Sequence, residues 1–232
     1  MAHTGRGLAP PTARGRRTLV PCRVRGRCSV NSDQTAAEGR YALSFTTGGL
    51  LAHEAAVLAP VYAKVRDWVK VRDLAVDENL LQARTVSTGV RRVRETVKRL
   101  SVLSDREVET LAEITASERS HLMWAAACRR YDLIGEFAEE ILRERFLTLA
   151  GTVSYEDYDS FYRAKAMWHE ELTTVTDQSY KKLRQVLFRM MVEAGLLTST
   201  GEIEPALLSA RVAALITQRT PGDIRFFPTR EA

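Results

Sequence analysis

Residues 79–100, NLLQARTVSTGVRRVRETVKRL, set the strongest limit on what this chain can fold into. Val86, Val90, Val93, Val97 and Leu100 recur at spacings of three and four, which places them on one face of an α-helix. Thr85 or Ser87 stands where an N-cap belongs. Valine is a mediocre helix former because its χ1 is stiff, so packing must hold this helix. Arg91, Arg92, Lys98 and Arg99 fall on the opposite face and Arg94 on the flank. With Arg84 included, residues 84–100 carry six basic side chains against one acid, Glu95. An ordinary solvated face mixes signs to gain pairs one turn apart. This one needs a polyanion or an acidic neighbouring surface to offset its self-repulsion.

A second periodic helix is expected over residues 179–194. Tyr180, Leu183, Leu187, Met190, Met191 and Ala194 form its apolar side, and Gln178, Lys181, Lys182, Gln185 and Arg189 point largely the other way. Gly195 ends it as a C′ residue. Leu196-Leu197 and the polar turn Thr198-Ser199-Thr200-Gly201 follow, then a helix over 205–216 and a strand-like run over 223–227. A basic helix followed by a short hairpin is the pattern of a winged helix. A helix over 69–76, a brief link and the basic helix make a helix-turn-helix arrangement. The expected fold is mainly α: a helical bundle with helix-turn-helix and winged-helix-like parts and a short C-terminal β hairpin.

Between these helices, Ser104 to Glu107 reads as a capping box. Thr115 or Ser117 caps the next helix, Asp132 opens one running to Leu149, and Ser154 caps another. Tyr155, Tyr158, Phe161, Tyr162, Met167 and Trp168 on that last helix read as a core stripe rather than a base-stacking platform. Near the start, Thr46 and Thr47 are cap candidates for a helix from Leu50, and Pro60 should kink it or begin a new first turn. Gly48-Gly49 invites a phosphate-loop reading, but no G-K-[ST] follows and no strand pattern precedes, so nucleotide binding is not expected there.

Charge is unevenly spread. Residues 1–40 hold eight arginines, two acids and no lysine, a net of +6. The whole chain is +5, so the other 192 residues sum to −1. Residues 105–171 hold eight basic and fifteen acidic side chains, a net of −7. The expected division is a disordered basic tail (1–39), a helix-turn-helix-like part (40–103), a helical bundle (104–172) and a winged-helix-like part (173–232).

Little points to chemistry. His3, His53, His121 and His169 fit no metal-ligand spacing, and neither do Cys22, Cys28 and Cys128. Adjacent carboxylates such as Glu139-Glu140 splay around a helix, and no nucleophile motif appears. No catalysis, cofactor, metal or small-molecule substrate is expected. No run reaches the ~20 apolar residues of a membrane span, and the free cysteines suit a reducing, cytoplasmic compartment.

Four segments taken in order, RYALSFTTGGLLAHE, DLAVDENLLQARTVSTGVRRVRETVKRL, SERSHLMWAAACRRYDLIGEFAEEILRERF and KKLRQVLFRMMVEAGLL, resemble the BrxA family. The resemblance runs over roughly residues 40–216 and leaves out the arginine-rich 1–39. It implies a small, mainly helical component of the BREX systems that protect bacteria against phage. It further implies that the protein binds double-stranded DNA without being an enzyme, beside other BREX proteins, and shares features with a helical RNA-binding antiterminator. The candidate contacts remain inferences from helix faces: Arg84, Arg91, Arg92, Arg94, Lys98 and Arg99 on the first basic helix, and Gln178, Lys181, Lys182, Gln185 and Arg189 on the second. A structured-RNA binder and a protein–protein adaptor stand as alternatives.

Overall fold

A computed structural model describes residues 1–2 and 39–230; the expected basic tail lies almost wholly outside the described residues. The chain divides after Thr35, and the described helices all belong to the second unit, Ala36–Ala232. This unit is mainly helical. Its order is α1 (Ala52–Val65), α2 (Trp68–Asp77), α3 (Val86–Leu100), α4 (Asp105–Thr110), α5 (Ala116–Arg130) and α6 (Asp132–Phe137). A π-helical stretch, Ala138–Arg143, joins α6 to α7 (Glu144–Leu147). Then come α8 (Tyr155–Ala166), α9 (Glu170–Thr173), α10 (Asp177–Glu193), α11 (Ala210–Ile216) and a 3₁₀ turn, Asp223–Phe226.

The cap chemistry accounts for where most helices begin. Thr85 caps α3, and Ser104–Glu107, Thr115–Glu118 and Ser154–Asp157 form reciprocal capping boxes on α4, α5 and α8. Neither Thr46 nor Thr47 caps α1. Its N-cap is Leu51, in the left-handed region at φ 62°, with no side-chain bond. Pro60 sits inside α1, which continues through it to Val65.

The core is built around α5, whose residues from His121 to Cys128 are all buried and which packs on α1, α3, α6, α10 and α11. Tyr158, Phe161 and Tyr162 of α8 join that core, as expected. Tyr155, Met167 and Trp168 do not: they are 46%, 76% and 83% exposed. The helix ends at Ala166, so the last two leave the periodic face.

The C-terminal β hairpin is not formed. Among the described residues, strand pairing is limited to two isolated bridges, Thr152 with Glu202 and Leu197 with Ile203. The run expected to be a strand is the 3₁₀ turn, because α5, far earlier in the chain, takes up its polar groups. Trp124 Nε1 donates to the Phe226 carbonyl at 2.9 Å, and Arg129 Nε donates to Asp223 Oδ2 at 2.5 Å. The helix expected over 205–216 likewise begins only at Ala210, capped by Ser209.

Two buried ionic clusters tie the helices. Arg129, at the end of α5, reaches Asp223 and both oxygens of Glu107, the latter at 2.9 and 2.6 Å. Burial alone would raise the Glu107 carboxyl, but bonds from Arg129 and Ser104 outweigh it and hold the group below its ordinary range. The bonds of the Ser209 hydroxyl and of Thr115 bring the Glu118 carboxyl down to about 2. A depressed carboxyl stabilises the fold above its unfolded pKa of about 4.3, and that contribution disappears as pH falls through the folded value. The melting temperature should therefore hold from neutrality to about pH 5 and decline below it. Glu107→Gln should melt earlier at pH 7 and show a shallower acid limb in the same calorimetric series. The second cluster, around Arg99, joins α3 to the segment that enters α1.

Candidate nucleic-acid interface

The outer face of α10 forms as its periodicity dictates. Leu183, Val186, Leu187, Met190 and Met191 are buried, while Gln178, Lys181, Lys182, Gln185 and Arg189 line the opposite side. Thr176 caps the helix, and Gly195 takes the left-handed conformation that ends it, at φ 69°.

One residue of α3 meets this face. Arg91 and Thr46 line a groove of about 630 Å³ together with Gln178, Lys181, Lys182 and Gln185 of α10. Arg91 is exposed and forms no ion pair among the described residues. Among the described residues, Lys182 hydrogen-bonds only to Gln185, at 3.2 Å, and Lys181 sits 3.6 Å from Asp177 with both side chains well exposed. Such open pairs contribute little and leave the charge available.

Two further residues complete the groove, and the sequence reading missed both. Tyr155 stands at the start of α8, and Arg184 lies on α10, three residues after Lys181. The Arg184 guanidinium is 4.3 Å above the Tyr155 ring and donates to both oxygens of Asp159 at 2.7 and 2.9 Å. Burial pushes the Asp159 carboxyl up, but Tyr180 and Arg184 outweigh it and keep it below the usual carboxylate range. Arg184 is thus a neutralised wall of the groove. Its place beside Lys181 on the helical wheel was the available signal.

The groove continues in two directions. A cavity of about 710 Å³ shares Thr46 and Arg91 with it and adds Arg92 and Arg189. A smaller one, about 390 Å³, shares Tyr155 and Gln185 and reaches the Thr198–Gly201 turn. Residues from α3, α10 and that turn thus line one connected surface.

Apart from Arg92, which lines the larger cavity, the remaining candidates on α3 separate from it. Arg99 was expected on a solvated face and is fully buried. Its Nε donates to Glu95 Oε1 at 2.9 Å, and its Nη1 donates to the Gly49 carbonyl at 2.7 Å. Tyr131 completes the cluster, its hydroxyl donating to Glu95 Oε1 at 2.7 Å. The cause is a second packed flank: Arg92, Glu95 and Arg99 recur at helical spacing toward the segment that enters α1. Arg92 is partly buried and paired with the buried carboxylate of Glu54. Arg84 and Arg94 lie outside all three cavities, and so does Lys98, which is half-buried. On the apolar side, Val86 is 80% exposed, so that face narrows to Gly89, Val93, Thr96 and Leu100.

The entering segment, residues 46–51, fixes α3 relative to α10. Arg99 holds its Gly49 carbonyl from one side. Glu193, at the end of α10, accepts from Leu50 N at 2.6 Å from the other and from Arg189 Nε at 2.7 Å. A Cβ on Gly49 would overlap the Glu193 carboxylate. Gly49→Ala should therefore expel that carboxylate and cost about 1–2 kcal/mol, readable by urea denaturation, for the lost charge-assisted bond.

Among the described residues, no three His, Cys, Asp or Glu side chains gather where they could hold a metal ion. No helix of the described residues is long and apolar enough to cross a membrane.

Comparison with known proteins bears on most of this unit. A sequence profile of the BrxA family matches residues 39–220. The BREX protein BrxA of Bacillus cereus (strain H3081.97) is 26% identical over 157 residues, covering 66% of this chain and 78% of that protein. The BREX protein BrxA of Escherichia coli O9:H4 (strain HS) is 23% identical over 148 residues, covering 64% and 70% respectively. A crystal structure of an uncharacterized protein from Magnetospirillum magneticum superimposes with a TM-score of 0.69 at 17% identity, covering 82% of this chain and 98% of that one. That likeness concerns the fold alone.

Proposed function

The chain belongs to the BrxA family of BREX systems, and from that premise we propose that it binds double-stranded DNA, without catalysing a reaction, as a cytoplasmic component of a phage-defence assembly. The observation that carries the reading is the groove in which Arg91 of α3 meets Lys181 and Lys182 of α10. These side chains are only weakly compensated by other residues, so phosphates supply the counter-charge they lack. Gln178 and Gln185 add neutral donors and acceptors between them. In this reading α10 and the turn at 198–201 act as a winged-helix-like element. Helices α2 and α3 act as a helix-turn-helix-like pair, whose link is tightened by Asn79 Oδ1 accepting from Ala83 N at 2.9 Å. Phosphate contacts set register and orientation; the groove offers few groups that would read base edges.

The test is competition. A labelled duplex bound to the protein is challenged with unlabelled duplex, single-stranded DNA and folded RNA at one salt concentration. The proposal expects duplex DNA to displace the label at least ~10-fold better than folded RNA. The reverse order would favour an antiterminator-like RNA binder.

A second reading has its own observation. Met167 and Trp168 are exposed side by side, and neighbouring Lys165 joins Glu136 at 2.5 Å and Glu140 at 2.7 Å. Asp132 continues that acidic ridge, its carboxyl raised by burial and by Glu136. An exposed tryptophan with an acidic rim suits a basic surface on another BREX protein. Partner capture that survives nuclease digestion and is lost in Trp168→Ala would support this adaptor role beside DNA binding.

A further inference from the structure

We propose that the cavity between residues 46–51 and α3 is a binding site for a phosphomonoester, carried by a free mononucleotide or by the end of a nucleic-acid strand. Its volume, about 710 Å³, lies in the range of small-ligand sites. Three guanidiniums line it: Arg91, Arg92 and Arg189. Arg92 and Arg189 are each held by one carboxylate, Glu54 and Glu193. A guanidinium has five N–H donors and a carboxylate engages at most two or three of them, so both remain able to donate into the cavity. Arg91 is free of ion pairs among the described residues and supplies the uncompensated charge. Thr46, Thr88 and Ser120 add hydroxyls from three different elements.

A separate feature points the same way. The first turn of α1 opens on this cavity, and its N-cap, Leu51, makes no side-chain bond. The helix therefore adds about half a positive charge to the net single charge of the side chains. The sum, roughly +1.5, matches a monoester at neutral pH, which carries about −1.5 to −2, better than the single charge of a diester. This is not a P-loop: no strand leads in and no lysine follows. Sequence alone assigns the Gly48-Gly49 pair no phosphate role, because the arginines that face it come from α3 and α10, far along the chain.

Ligand binding here does not rest on the DNA reading. Only its consequence does: Arg91 and Thr46 are shared with the groove, so an occupied cavity would withdraw Arg91 from a bound duplex or anchor a strand end there.

The experiment is calorimetric titration of the full chain with a nucleoside monophosphate, the matching nucleoside and inorganic phosphate. The monophosphate should bind with a Kd at or below about 1 mM, at least ~10-fold tighter than the nucleoside. Ser120→Glu places a carboxylate in the cavity and should abolish binding, whereas Ser120→Gln should retain most of it. Lys181→Glu with Lys182→Glu should leave monophosphate binding intact while weakening duplex binding at least ~10-fold, which separates the two readings. Duplexes with a 5′-phosphate or a 5′-hydroxyl then identify the source: a preference for the phosphate assigns the strand end, and equality assigns the free ligand. Equal affinity for nucleoside and monophosphate, or no heat from either at ~10 mM, would overturn the proposal on the unmodified protein, whatever the variants do.

Discussion

Replacing Lys181 and Lys182 together by glutamate is expected to weaken duplex binding at least ~10-fold while the fold stays intact. Both side chains are exposed and make no buried bond, and such substitutions usually change stability by less than ~0.5 kcal/mol. Two phosphate contacts disappear and two repulsions replace them. Arg91→Glu should act in the same direction, because it faces the same groove from α3. Adding it to the α10 pair should deepen the loss. If α3 lies off the duplex, it will add nothing. Arg99→Glu is the contrasting case. It would bury a second carboxylate against Glu95 and remove the donor to Gly49, so the expected outcome is an unfolded chain. Gel shifts paired with thermal melts distinguish these behaviours.

The other large effect belongs to stability. Arg129→Ala leaves Glu107 and Asp223 buried without their shared cation; the exposures of the three side chains are 4%, 5% and 4%. Breaking one side of such a cluster typically costs about 3–5 kcal/mol, a large share of the ~5–15 kcal/mol that holds an ordinary domain. For a chain of this size the melting temperature should fall by about 6–20 °C. Duplex affinity measured well below the melting point should be unchanged, since Arg129 lies outside the groove. A small thermal shift would mean that water reaches the two carboxylates once the guanidinium is gone.

How far the sequence foretold this arrangement depended on how many sides of each helix are packed. Helix α10 is packed on one side, so its period alone sorted Gln178, Lys181, Lys182, Gln185 and Arg189 away from the core. Helix α3 is packed on two. Its valine spacing located the core side, but no periodicity announces that the segment before α1 folds back over Arg92, Glu95 and Arg99. The pair Glu95 and Arg99, four residues apart, was the local hint. Arg184 and Tyr155 were hidden for another reason: their partnership and the approach of Asp159 are tertiary. At the C-terminus, a strand-like run was expected at 223–227, but Trp124 and Arg129 offered bonds that a turn could use, and among the described residues no neighbouring strand offered a ladder. Met167 and Trp168 were read as core from helical spacing, and the helix stops just before them.

The central claim, that one groove shared by α3 and α10 holds duplex DNA through phosphates, is tested most directly by duplex affinity across a salt series. Arg91, Lys181 and Lys182, with partial help from Arg189, should neutralise about three to four phosphates, giving a log–log slope of about −3 to −3.5. Between about 50 and 200 mM salt the affinity should then drop roughly 50- to 150-fold. In Lys181→Glu with Lys182→Glu the slope should shrink by about two. A flat response, or no binding at ~50 mM salt, would contradict the account.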